Sequence, residues 1–420
     1  LYINPVNSDI VYAGSYGNGF YKTVDGGENW VKKINGLTSL WIRSISCDPL
    51  NPEIMYLGSE CGGIYKSVDG GESWSQKNNG LKNTCIYWVE INPKNTNIIY
   101  VCSFGGGIFK SIDSGENWKE INNGLTELKV WCLLINLVNT NIIYAGTWGG
   151  GVFKSNDGGE SWKAVNNGLS KLNITSLIID KFNPDTIYTG TWEGGVYKST
   201  NSGENWKEIN NGLGIKYIHS LKIHPDNSKI IYAGGRGGVF KSTDSGENWI
   251  NISEGLTNSG IMVIMLDPKN PNIIYAGTEA GIFKYAPKIN KIILKLQIGS
   301  KNMYVNNELK EIDVPPIIIE GRTLLPIRWV AEPLGAEVGW DGVERKVTVS
   351  LGDIHIELWI GKSIAKINGV NKAIDPDNPK VVPIIKDGRT MLPVRFVAEN
   401  LGCDVGWDAD TKTVTITYPK

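Results

Sequence analysis

Histidine is almost missing from this chain of 420 residues, which contains only His219, His224 and His355. So few imidazoles leave little material for a histidine-based metal centre. Cysteine is sparse and unpatterned: Cys47, Cys61, Cys85, Cys102, Cys132 and Cys403 form no CxxC and share no recurring spacing. A zinc site or disulfide framework is therefore not expected, and scattered buried thiols are the reading. Arginine is rare before residue 288, where Arg43 and Arg236 stand alone. No apolar run approaches the roughly 20 residues of a membrane-spanning helix. The start at Leu1, with no apolar signal segment, reads as a processed or partial chain. Lysine plus arginine (42) nearly cancels aspartate plus glutamate (43), so no overall field draws in a nucleic-acid backbone. No metal, cofactor or nucleic-acid partner is expected.

Glycine (50) and tryptophan (15) are abundant, a combination that suggests tight turns interleaved with aromatic packing and hence a mainly β protein. An eight-residue phrase of the type SNDGGESW recurs at Thr23–Trp30, Ser67–Trp74, Ser111–Trp118, Ser155–Trp162, Ser199–Trp206 and Ser242–Trp249, in steps of 44 residues with a last step of 43. A near-constant period of this size marks a repeat architecture. Within the fourth repeat, four short apolar runs lie around 133–136, 142–146, 151–155 and 162–165, each bounded by Asn, Asp, Pro or Gly. They predict four strands per unit, the size of a propeller blade that buries its faces against its neighbours. The recurring phrase falls between the third and fourth strands, where its aspartate can accept turn amides, its glycine can take a positive φ, and its indole can pack between sheets.

The pattern S/T-x-D-x-G-x-x-W closely resembles the Asp-box, or BNR repeat, of sialidase-like β-propellers. The resemblance implies a structural rim turn at Asp25/Trp30, Asp69/Trp74, Asp113/Trp118, Asp157/Trp162, Asn201/Trp206 and Asp244/Trp249, with Asn201 replacing the aspartate. The phrase IYAG through G(I/V)(F/Y)K occurs seven times, ending at Lys22, Lys66, Lys110, Lys154, Lys198, Lys241 and Lys284, whereas the fourth-strand phrase occurs six times. A seven-bladed Asp-box β-propeller over residues 1–287 is expected, its missing strand lying before Leu1.

From about residue 289 a different duplication begins: GRTLLPIRWVAEPLGAEVGWD (Gly321–Asp341) returns as GRTMLPVRFVAENLGCDVGWD (Gly388–Asp408), 67 residues later. Each copy reads as a short amphipathic helix opened by Pro, then a Gly-Trp-Asp turn and a strand, giving a smaller α+β module of two similar halves over 288–420. Pro333, where the second copy has Asn400, should distort the first helix. These motifs closely resemble the copper amine oxidase N-terminal-like domain, a stalk-type module of secreted and cell-surface proteins of Gram-positive bacteria. The resemblance implies attachment or spacing rather than copper chemistry, and His355 is the only histidine here.

If the Asp-box turns mark one face of the ring, the loops between strands two and three and between blades lie on the other. Aligned by repeat, the first set presents Tyr16, Glu60, Phe104, Trp148, Trp192, Arg236 and Glu279, and the second adds Trp41, Tyr87, Trp88, Trp131, Tyr217 and His219. These positions vary in type while the scaffold phrases barely change. Either the aromatics pack the channel mouth and the blade interfaces, or they bind a ligand, with Tyr16, Trp41, Phe104, Trp131, Trp148, Trp192 and Arg236 as ligand-binding candidates. The reading is a secreted or cell-surface protein binding a polysaccharide or cell-wall glycan. Two alternatives stay open: a glycoside hydrolase, or a protein- or peptide-binding propeller like the photosystem II assembly factors and sortilin-type receptors. Sialidase chemistry is not expected, because it needs an arginine cluster. No catalytic residue is assigned; Glu60, Glu193 and Glu279 are weak candidates in different repeats.

Overall fold

The computed structural model describes residues 1–286, 291–352 and 354–419. The chain divides into two compact units, Leu1–Pro287 and Lys288–Lys420. Among the described residues no helix is long and apolar enough to cross a membrane.

The first unit consists of six four-stranded sheets followed by one of three strands, all antiparallel meanders in chain order. Sheet 4 is representative, with strands Val130–Ile135, Ile143–Thr147, Gly151–Ser155 and Lys163–Ala164. Its first three strands are almost wholly buried because residues on both faces meet a neighbouring sheet, as in a propeller. The first strands of successive sheets lie side by side, and that of sheet 1 also meets that of sheet 7. The strands therefore surround a common axis.

The repeated phrases form one lock between neighbouring sheets. In the Ser111–Trp118 turn, Asp113 Oδ1 accepts the Ser111 hydroxyl at 2.7 Å and the Asn117 amide at 2.9 Å, while Ser111 Oγ accepts the Gly115 amide at 2.8 Å. The turn so closed presents the Ser114 carbonyl, which accepts Tyr56 Oη and Lys66 Nζ of the preceding sheet, both at 2.9 Å. The same two-donor latch is made by Tyr100 and Lys110, Tyr144 and Lys154, and Tyr188 and Lys198, whereas in the first sheet only Lys22 reaches the next turn, at Gly70 O. The same latch joins the chain ends of the ring: Tyr275 Oη and Lys284 Nζ donate to Gly26 O at 3.1 and 2.9 Å.

The box indoles supply the apolar half of the lock. Trp118, Trp162, Trp206 and Trp249 are buried, and each Nε1 donates at 2.8 Å to a carbonyl just after the preceding sheet's fourth strand. Trp74 is equally buried, but its Nε1 has no partner among the described residues. Trp30 departs from the expectation of an indole buried between sheets: it is half-buried and donates to Gly27 O in its own turn. The reason is topological, since among the described residues sheet 7 has three strands and offers no fourth-strand carbonyl. The Asn-Asn-Gly phrase belongs to the same seam, because a Cβ at Gly124 would collide with the Trp162 carbonyl.

In the second unit the two sequence copies pair with each other. Strands Arg322–Pro326 and Arg389–Pro393 run antiparallel with Leu325 opposite Leu392, the same position of each copy. Two five-stranded sheets flank this pairing, and the opening strand Ile292–Gln297 pairs with the closing strand Thr413–Tyr418. Arg322 bonds Asp375 at 2.6 Å, and Arg389 bonds Asp313, so each copy's arginine reaches the other half. A shared apolar core includes Leu325, Val330, Leu392 and Val397. The first helix covers only Arg328–Ala331 before passing into a 3-10 turn containing Pro333, whereas the second runs through Val394–Asn400. Proline removes a backbone donor and crowds the preceding turn, which accounts for the difference.

Candidate functional site

In each of sheets 2 to 7 the register between the first and second strands slips by one residue near the loop end. The skipped residues are Arg43, Tyr87, Trp131, Thr175, His219 and Met262. A bulged residue leaves the ladder and its side chain is re-aimed. Most of these bulges turn a large side chain toward the residues at the tips of the strand two to three loops.

The outcome is an unbroken aromatic belt. Trp41 packs on Tyr16 with ring centroids 4.0 Å apart, and Arg43 lies over both Tyr16 (4.4 Å) and Tyr87 (4.6 Å). Tyr87 stacks on Phe104 at 4.9 Å and meets Trp131 at 5.2 Å. Trp131 continues to Trp148 at 5.3 Å, and Trp148 to Trp192 at 5.6 Å. Trp192 then contacts Tyr217 at 5.0 Å and His219 at 5.3 Å, with Arg236 over its ring at 4.8 Å. Every ligand-binding candidate from the sequence is in this run. Tyr16 and Trp41 are exposed, while Trp131, Trp148 and Trp192 are half-buried. Trp148 and Trp192 are thus partly packed against other rings rather than free-standing platforms. A shallow concavity lies at each end, one bordered by Trp41, Glu60 and Cys61, the other by Glu193, Lys216, Tyr217 and Arg236.

Arg43 is a site residue that the sequence reading passed over as a mere count. Its guanidinium donates to Glu60 Oε2, with Nε at 2.9 Å, and to Tyr16 and Tyr87 hydroxyls at 3.1 and 3.3 Å. Planar guanidinium between two phenol faces is a favourable arrangement that also orients the five donors. Glu60 is consequently engaged by Arg43 and is poorly placed for proton transfer to a ligand. Glu193 is exposed, with Lys171 Nζ 3.7 Å away, and Glu279 is also exposed. Among the described residues no hydrogen bond or ion pair joins the three carboxylates. Trp88 also differs from the sequence expectation: following the bulge, it turns away from the belt and donates to Glu90 Oε2 at 2.9 Å.

Two further charged groups escaped the sequence reading. Glu90 and Lys222 occupy first strands of sheets 3 and 6, half-buried. Burial pushes the Glu90 carboxyl up to about 7, against the opposing effects of the Trp88 indole and the Lys222 charge. Burial also lowers Lys222, with Glu90 acting the other way. On the belt, burial and then the nearby Arg236 charge hold His219 below its ordinary range, against the opposing effect of Glu279. Only the repeat alignment of first-strand residues could have singled out these positions, and it does not show their proximity.

Comparison with known proteins bears on both units. Residues 286–332 and 304–416 match the family model for the copper amine oxidase N-terminal domain. Residues 150–258 match that described as sortilin, neurotensin receptor 3. No curated protein matches the chain. Among solved structures, the GH74 xyloglucanase from Xanthomonas campestris is 13% identical, with 91% of this chain and 74% of that one covered and a TM-score of 0.56. YCF48 bound to a D1 peptide is 20% identical over 66% of this chain and 88% of that one, with a TM-score of 0.53. The extracellular domain of a hybrid two-component system protein from B. thetaiotaomicron is 14% identical over 96% of this chain and 60% of that one, with a TM-score of 0.55. Identities this low speak to the fold alone, and the four-stranded sheets resemble those of propellers. In the second unit, His355 Nδ1 lies 2.8 Å from Ser350 Oγ.

Proposed function

We propose that residues 1–287 form a seven-bladed propeller of a secreted or cell-surface protein, whose aromatic belt binds a polysaccharide, and that residues 288–420 serve as a stalk or attachment module. The observation that carries this reading is the continuity of the belt from Trp41 to Tyr217 through neighbouring sheets. Rings at successive sheets offer apolar faces and edges to the C–H surfaces of consecutive sugars, while the Arg43 and Arg236 donors can orient hydroxyls. A hydrolase is less well supported, because two facing carboxylates are required and Glu60 is tied to Arg43. A xyloglucanase and the extracellular domain of a two-component system protein share this fold, which fits a glycan ligand and an extracellular setting.

A second reading is favoured by the arginine at each end of the belt. Guanidinium groups stacked on aromatic rings suit carboxylates of an extended peptide, and a peptide-bound relative shares the fold. An array of plant and bacterial cell-wall polysaccharides, probed with the full chain, separates the two. The expected outcome is binding to one polysaccharide class that Trp148→Ala weakens about tenfold or more, taking roughly 1 to 3 kcal/mol per stacked ring. An empty array, with capture of acidic peptides that Arg43→Ala and Arg236→Ala abolish, would establish the peptide reading instead.

A further inference from the structure

The expectation of scattered buried thiols holds for Cys47, Cys102, Cys132 and Cys403 but not for the other two. Cys61 is exposed and Cys85 half-buried, and their Sγ atoms are 3.0 Å apart. They belong to neighbouring sheets: Cys61 to the strand two to three loop of sheet 2, Cys85 to the connection entering sheet 3. The backbone holds these segments together independently of the sulfurs, since the Gly63 amide donates to Thr84 O at 2.9 Å. Bridgeable cysteines need just such a close backbone approach.

A second observation points the same way. Cys61 has φ of 63°; the equivalent loop positions Gly17, Gly105, Gly149 and Gly237 are glycines with φ of 101°, 93°, 109° and 122°, and the other non-glycine there, Glu193 with φ of 73°, uses its side chain to approach Lys171 at 3.7 Å. A side chain at a left-handed position carries a conformational penalty, so cysteine here is not the residue that backbone geometry selects. Its side chain contributes something that glycine would not.

We propose that Cys61 and Cys85 are a disulfide-forming pair that staples sheet 2 to sheet 3 beside the Arg43 end of the belt. The chemistry is exchange with a low-molecular-weight disulfide of the oxidised glutathione class. Cys61 thiolate attacks one sulfur of that disulfide, forming a mixed disulfide and expelling one small thiolate. Cys85 thiolate then attacks the Cys61 sulfur, closing the bridge and expelling the second. The protein loses two thiol protons to solvent, and its two electrons reduce the external disulfide to two thiols. Glu60 immediately precedes Cys61, and Tyr87 lies two residues after Cys85. The bridge therefore fixes together the segments that carry the carboxylate and one phenol holding Arg43.

The full chain is incubated with oxidised glutathione, unfolded in excess iodoacetamide and mapped without reduction. The expected result is one crosslinked peptide pair containing Cys61 and Cys85, alkylation of the four buried thiols, and a melting temperature that rises on oxidation and falls again with dithiothreitol. Cys61→Ser and Cys85→Ser should each remove the crosslink, and the remaining partner should carry glutathione. Wild-type protein with both thiols alkylated, or with a glutathione on each, overturns the proposal. So does the same redox shift in melting temperature in the Cys61→Ser protein.

Discussion

The two faces of the propeller unit obey different rules. On the Asp-box face, the first six sheets repeat the same hydroxyl, acceptor and indole, and a turn such as Ser111–Trp118 is satisfied mainly from within its own eight residues and latched by the preceding sheet. On the loop face, equivalent positions hold Arg43, Tyr87, Trp131, Thr175, His219 and Met262, and Arg43, Tyr87, Trp131 and His219 each meet rings of neighbouring sheets. The first face is a local solution copied around a ring. The second is built once, from differences between copies, which is why a ligand site can occupy it without loosening the scaffold.

Removing an indole from each face gives the sharpest test of that contrast. Trp162→Ala should cost about 3 to 5 kcal/mol, read by denaturant unfolding, because it empties a buried seam and orphans a hydrogen-bond acceptor. Trp30→Ala should cost clearly less, since Trp30 is half-buried and bonds only within its own turn. Equal losses would mean that the seam position is not what makes a box tryptophan important.

Next in size is an acid response to which the box face contributes. Side-chain hydrogen bonds within the turns, ahead of amide donors, hold Asp25, Asp113, Asp157 and Asp244 down at about 2 from an ordinary 3.8. A depressed folded-state value adds stability above the unfolded value, and that contribution is lost as pH falls from about 4 toward 2. Melting temperature should therefore drop across that window. Asp113→Asn should reduce the slope and lower stability at pH 7. An asparagine can keep the hydroxyl and amide bonds, as Asn201 does with Ser199 and Asn205 at 2.9 Å, but cannot accept the Asn117 side-chain amide that Asp113 Oδ2 takes at 2.7 Å. An unchanged slope would place the acid sensitivity elsewhere.

Smaller effects on stability are expected from the belt. Trp148→Ala should destabilise the unit by roughly 1 kcal/mol, because Trp148 is half-buried against Trp131 and Trp192 rather than sealed in a seam. Its effect on ligand binding should exceed its effect on melting. The reverse order would return the belt to a packing role. Separating the units should have the least effect: residues 289–420 alone are expected to fold cooperatively, observed as a sharp thermal transition, because their core is self-contained.

Much of this molecule could be read from the chain by itself. The 44-residue period, the strand and turn chemistry and the box phrase are local properties, and they imposed four strands per unit, the rim turns and the division between two kinds of repeat. The duplicated Arg-Thr-x-Leu-Pro segment likewise announced a two-fold unit, and Pro333 its shortened first helix. The candidate belt residues were legible because they vary at fixed repeat positions. What only the tertiary structure decided was how they meet. A one-residue register slip directs Arg43, Tyr87 and Trp131 into the belt and Trp88 out of it, and periodicity in sequence does not reveal such a slip. The engagement of Glu60 by Arg43, the mutual effects of Glu90 and Lys222, and the approach of Cys61 to Cys85 all join residues from different sheets. Such contacts depend on how the sheets are placed around the axis, whereas the box turn draws its bonds from residues two to four apart.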